Sequence, residues 1–238
     1  LGALGPSAGA AQLAEVSRRL LAEGIEPPIF SVADEPSNPG GGDEWRAWLR
    51  ALQAQSGVRL RAAGHLNAPA DRAIAGSFDV AIVNAGFGLD LGTLAQAARS
   101  AHEVWIYNTE SPRLTAGAWL WRSAARRYVQ WHARMPTAHP FDPLDGREGD
   151  EQWILPSSGP CPATPSIHRD LLELAEGVVD QRWLLWLETR GGGEAGRLLG
   201  QIRRRLGETW QTATGLGRRD LEAMRESIMR IALRAHAD

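Results

Sequence analysis

Apolar positions along this chain switch repeatedly between two periods. Leu13, Val16, Leu20 and Leu21 share one helical face within residues 9–23, and Gly24 follows as a common helix stop. "PPIFSVA" then forms an apolar run of strand length. Asp43 is placed to cap a second helix, in which Trp45, Trp48, Leu49 and Leu52 form one face and Gly57 marks the end. The alternation continues through a strand at 58–63 ("VRLRAA"), a strand at 78–83 ("FDVAIV") and the helix "LGTLAQAARSA". A strand at 103–108 ("EVWIYN"), the helix "LTAGAWLWRSAA" and a strand at 126–132 ("RRYVQWH") come next. Ser166 or Thr164 opens a long amphipathic helix to about Glu188, and "RGGGEAG" reads as a hinge into two more helices, about 194–212 and 218–236.

Strands alternating with helices predict a parallel sheet covered by helices, in a (β/α)8 barrel or an open doubly wound sheet. Polar and aromatic residues gather just after the strand ends: Asp34 and Glu35, His65 and Asn67, Asn84, Tyr107 and Asn108, Trp131 and His132. In a barrel such positions line one bowl. Five strands cannot close a barrel of eight, and the first residue is Leu rather than Met. The expectation is therefore an α/β (β/α)8 TIM-type barrel truncated to about the last five βα units, residues 1–190, with a C-terminal helical appendage at 191–238. A complete five-stranded open sheet is the alternative.

Composition narrows the chemistry. All 26 basic residues are Arg, which excludes Schiff-base lysine catalysis, a Walker phosphate loop and a Tyr-x-x-x-Lys dehydrogenase. A net charge of −2 provides no basic surface for nucleic acid, and no apolar stretch is long enough for a membrane span. Cys161, the single cysteine, lies in the Pro/Ser-rich "SSGPCPATPS" and reads as a bystander thiol. "DVAIVNAGFGLD" lacks the third glycine and the downstream acid of a dinucleotide site, so no cofactor is expected. "HPFDPLDGREGD" lacks EF-hand spacing, and His132 and His139 match no zinc pattern, so no metal is expected either.

The adjacent acids Asp34 and Glu35 are the leading catalytic candidates. Strand alternation sends Ser31, Ala33 and Glu35 to one face and Val32 and Asp34 to the other, with Pro36 favouring an extended Glu35. Two close carboxylates do not ionise independently, which suits one of them to hold a proton for general acid catalysis. Equally, the pair has the composition of a turn leading into "PSNPGGGD". Of the 10 Trp residues, Trp45 with Trp48 and Trp183 with Trp186 lie three apart on apolar helix faces and belong to the core. Trp131, Trp153 and Trp105 are the candidates for stacking on the apolar face of a ligand. Tyr107, Asn108, Asn84 and Asp142 are the candidate hydrogen-bonding residues, although Tyr107 also suits a core position and Asp142 a solvated turn.

Asp34-Glu35-Pro36, Trp105-Ile106-Tyr107, Gln130-Trp131, Asp142-Pro143, Gly149-Asp150 and Pro165-Ser166-Ile167 occur in that order. Their order and spacing over roughly residues 25–190 resemble the C-terminal half of the barrel in glycoside hydrolase family 123. The resemblance implies an exo-acting hydrolase of β-linked 2-acetamido sugars that uses substrate assistance. Asp34 would orient the sugar's acetamide, and Glu35 would protonate the leaving oxygen and then activate water. The loops "GHLNAP" (64–69) and "NAGFGLD" (84–90) depart from the family pattern. Two other readings stand beside this one. In the first, Glu35 is the acid/base and Glu110 of "YNTES" the nucleophile of a double-displacement glycosidase. In the second, the barrel binds carbohydrate without cleaving it.

Overall fold

A computed structural model describes residues 5–38, 42–130, 154–155 and 166–235. The fold is α/β, with five parallel strands alternating with helices and further helices towards the C-terminus. The chain divides into two compact units, Leu1–Ile106 with Ala124–Arg126, and Tyr107–Ser123 with Arg127–Asp238.

The first unit contains α1 (Pro6–Ala22), β1 (Ile29–Asp34), α2 (Glu44–Gln53), β2 (Arg61–Leu66), β3 (Val80–Val83), α3 (Leu91–Ser100) and β4 (Glu103–Tyr107), the last residue of β4 falling in the second unit. Pro6 opens α1 with a φ already suited to a helix, and Gly24 ends it in the left-handed region at φ 73° while Ile25 N–H returns to the Leu20 carbonyl. Neighbouring strands pair in chain order, β1 to β2 to β3 to β4, all parallel.

One face of this sheet is built to receive helices. Ala33, Gly64 and Ala81 occupy one register row, and a Cβ on Gly64 would lie 2.8 Å from the Phe78 ring. Phe78 in turn packs on Trp45 of α2 with ring centroids 5.3 Å apart. Ala10, Ala14, Leu52, Leu60 and Ala62 form the adjoining core, with Phe30 and Val32 against it.

β2 starts three residues later than its apolar pattern suggests, so His65 lies inside the strand rather than beyond it. All of Ala62 to Leu66 is buried, and a strand covered on both faces carries no alternation from which to read its ends. Asp79 fixes the strand's entry by accepting from Ala62 N–H at 2.9 Å and pairing with Arg59 at 2.6 Å.

The second unit contains α4 (Pro112–Leu114), a π-turn (Thr115–Trp119), α5 (Leu120–Arg122), β5 (Arg127–Val129), the antiparallel pair β6 (Ile154–Leu155) and β7 (Ser166–Ile167), α6 (Arg169–Arg190), α7 (Gly193–Leu206), α8 (Trp210–Thr214) and α9 (Arg218–Ala235). α6 is capped by His168, whose Nδ1 accepts from Asp170 N–H at 3.2 Å, and not by Ser166, which is committed to β7. The expected helix at 194–212 is divided by Gly207, at φ 69°, into α7 and α8. Trp119 is fully buried, and Trp183 meets Trp186 edge to face at 5.7 Å. Among the described residues no helix is long and apolar enough to cross a membrane.

Within this unit α6 touches the Pro112–Arg122 segment at backbone distance. A Cβ on Gly177 would lie 2.5 Å from the Arg113 carbonyl oxygen, so only glycine fits there. That approach brings Arg113, 5% exposed, onto Asp180, 7% exposed, with Nε donating to Oδ2 at 2.8 Å. Arg225 of α9 donates to the other Asp180 oxygen and to the Glu176 carbonyl. Removing one partner of a buried pair strands the other charge. The Asp180→Asn variant is expected to lose about 3–5 kcal/mol of stability, read as a lower urea midpoint.

Candidate active site

The position of the acid pair is set by an irregularity in β1. Ser31 pairs with Ala63 and Ala33 with Gly64, so Val32 is an extra residue and the register shifts across it. Beyond the bulge Asp34 pairs with His65. Paired residues of a parallel ladder share a face, and His65 lies two positions after Ala63; Ser31 and Asp34 therefore stand on the same side of the sheet. This corrects the expected alternation, in which Glu35 shared the face of Ser31. The same register row continues through Ile82 to Trp105.

His65 is only 7% exposed, and its Nδ1 lies 3.0 Å from Ser31 Oγ. Burial pushes its pKa below the ordinary value of 6.5, opposed by the charge of Asp34, the Ala33 backbone and the charge of Glu35. A neutral imidazole thus stands beside the first acid.

Glu35 departs from the extended conformation that Pro36 was expected to favour: its φ is 46°, in the left-handed region. Two backbone bonds account for this. Glu35 N–H donates to the His65 carbonyl at 2.9 Å, continuing the ladder, and Asn38 N–H donates to the Glu35 carbonyl at 2.9 Å, closing a turn. Asn38 Nδ2 also donates to Glu35 Oε2 at 2.6 Å. Asn67 Nδ2 donates to Asn38 Oδ1 at 3.1 Å.

Behind the turn lies Asp71, 1% exposed. Its Oδ2 accepts from the Asn67 and Ala68 N–H groups at 2.9 and 3.0 Å, and its Oδ1 accepts from Ser37 Oγ. One buried carboxylate therefore joins the loop after β2 to the turn that carries Glu35. Asp71, Asn38 and Ser37 were not singled out from sequence; the only available signal was Asp71 three residues after Ala68, a spacing suited to capping the 3-10 turn Pro69–Ala73.

The other candidates are distributed as follows. Asn84 Oδ1 accepts from Gly86 and Phe87 N–H at 3.0 and 3.3 Å, shaping the loop after β3. Trp105 Nε1 donates to Glu103 Oε2 at 2.9 Å. Tyr107 is 3% exposed at the end of β4. Asn108 follows it at φ 45°, a conformation Asn tolerates better than most residues, with its N–H on the Val129 carbonyl. Glu110 is exposed, three residues past the end of β4. Trp131, Asp142 and Trp153 lie outside the described residues. Among the described residues no group of three or more His, Cys, Asp and Glu could hold a metal ion.

No family model matches the chain, and no curated protein matches it. Its fold of five parallel strands alternating with helices is similar to part of a solved glycoside hydrolase structure. The particular likeness is to the solved structure of a family 123 glycoside hydrolase from Clostridium perfringens, described for glycolipid glycan hydrolysis, with a TM-score of 0.65 at 12% identity. The match covers 96% of this chain and 45% of that one, so the chain spans less than half the length of that relative. At this identity the likeness concerns the fold.

Replacing Asp71 by Asn leaves amide hydrogens facing donors, and the variant is expected to be destabilised by about 1–3 kcal/mol in chemical denaturation. His65 yields a second prediction. Its folded form binds protons less readily than its unfolded form, so stability falls as pH drops below 6.5 towards the lower folded value and changes no further below that. Between pH 7 and pH 5 the parent protein should lose more stability than the His65→Gln variant; equal losses in paired denaturation curves would remove His65 as the cause.

Proposed function

We propose that this chain carries the acid/base part of a glycoside hydrolase site acting on β-linked 2-acetamido sugars by substrate assistance. The observation that carries this reading is the Asp34–Glu35 pair at the C-terminal end of a parallel strand, with Glu35 held in a left-handed turn, in a fold similar to part of a family 123 barrel. The glycolipid glycan hydrolysis described for the Clostridium perfringens protein supports a sugar as the substrate class.

Chemically, the acetamide oxygen attacks the anomeric carbon as the bond to the leaving oxygen breaks. Glu35 transfers its proton to that oxygen, and the Asp34 carboxylate accepts from the acetamide N–H and stabilises the positive oxazolinium ion. Glu35, now ionised, takes a proton from water as the water opens the ring at the same carbon, so configuration is retained. His65, paired with Asp34 across the two strands and with its pKa lowered by burial, stands beside the carboxylate that would meet the acetamide. Asn84, in the same unit as the acids, is a proposed sugar contact, and Tyr107, Asn108, Trp131, Asp142 and Trp153 of the second unit stay candidate sugar contacts on their own chemistry.

Chromogenic β-glycosides with and without a 2-acetamido group test this. Cleavage should be confined to the acetamido sugars and fall by about 10²–10⁴-fold in Glu35→Gln and about 10²–10³-fold in Asp34→Asn. Equal cleavage of plain glycosides would require an enzyme nucleophile and make Glu110 the next residue to replace. Sugar binding without turnover would identify the carbohydrate-binding reading instead.

A further inference from the structure

We propose that Asn38 is the positioning residue of the Glu35 acid, turned towards it by Asn67 and anchored through Asp71; this deepens the glycosidase reading and rests on it. Asn38 holds Glu35 at both ends. Its backbone N–H takes the Glu35 carbonyl, and its side-chain Nδ2 takes Glu35 Oε2 at 2.6 Å. An amide side chain can present either its oxygen or its nitrogen to a neighbour, and the choice here is made by Asn67, whose Nδ2 occupies Asn38 Oδ1 at 3.1 Å. Asn67 is placed in turn by Asp71, which takes the Asn67 N–H, while Ser37 ties the turn to the same carboxylate.

The chemical consequence concerns the site of the proton. An N–H group facing Oε2 keeps that oxygen an acceptor, so a protonated Glu35 carries its hydrogen on Oε1. A general acid must present its proton from a defined atom towards the leaving oxygen, within hydrogen-bond reach. Asn38 thus engages one named oxygen of the Glu35 carboxyl group and, by holding it as an acceptor, sets the direction of proton delivery. The chain of contacts begins in a residue 1% exposed and ends in an exposed one, Asn38, which can be replaced without disturbing the core.

Leaving-group dependence separates this role from a structural one. A dinitrophenolate departs without protonation, whereas an alkoxide needs the acid. Asn38→Ala should lower kcat by about tenfold on an alkyl 2-acetamido-β-glycoside and by less than about twofold on its dinitrophenyl counterpart, with KM little changed and the thermal midpoint retained. Asn67→Ala, which removes only the orienting donor, should show the same selectivity at smaller size. Equal loss on both substrates, or none on either, would overturn the proposal. Glu35→Gln serves as the reference: if it is selective and Asn38→Ala is not, Asn38 alone loses its role, and if Glu35→Gln is itself unselective, the acid assignment of Glu35 falls and this proposal with it.

Discussion

Parallel pairing between β1 and β2 governs the acid pair, because each β2 residue accepts one partner and the surplus residue Val32 has to be absorbed as a bulge. Without the bulge, Asp34 would face the helices with Ala33's neighbours, in a layer already filled by Trp45 and Phe78. With it, Asp34 joins Ser31 and His65 on the opposite side, where the row His65, Ile82, Trp105 runs across the sheet. The bulge also brings Glu35 N–H onto the His65 carbonyl, so one irregularity places both acids. Bulges near strand ends recur where a side chain is re-aimed, and here the re-aimed group is a carboxylate.

Elements whose signal is local were legible in the chain. α1 and α2 announced themselves through apolar faces of helical period and through Gly24 and Gly57, and β3 and β4 emerged as apolar runs close to their observed limits. Features that depend on a second segment were not. The bulge exists only in the register with β2, and no property of "FSVADEP" by itself counts one residue too many. β2 slid by three positions because burial on both faces erases the alternation that marks strand ends. His168 displaced Ser166 as the cap of α6 because Ser166 was claimed by pairing with Leu155.

The same division applies to the site. Adjacent acids at a strand end stand out in the sequence because they are neighbours in it. Asp71 does not, since its partner Ser37 lies 34 residues away and a buried carboxylate that accepts three donors has the same one-letter code as a solvated one. Its low exposure becomes intelligible once those donors are counted: a buried carboxylate is tolerated where hydrogen bonds replace water. Asn84 illustrates the converse. Its position after β3 suits a ligand contact, yet its carbonyl is committed to the amides of Gly86 and Phe87.

The left-handed Glu35 joins these observations. Such a backbone conformation disfavours a residue with a long side chain by roughly 1–2 kcal/mol. Two backbone hydrogen bonds and one to the carboxylate accompany this arrangement, and each contributes about 0.5–1.5 kcal/mol, more for the charged group. The balance favours the turn, but a glycine at position 35 would form both backbone bonds without the penalty. What glycine lacks is the carboxyl group that Asn38 holds. The left-handed backbone at Glu35 is thus offset by contacts to its own carboxyl group and by a turn that Ser37 ties to the buried Asp71 carboxylate of another loop.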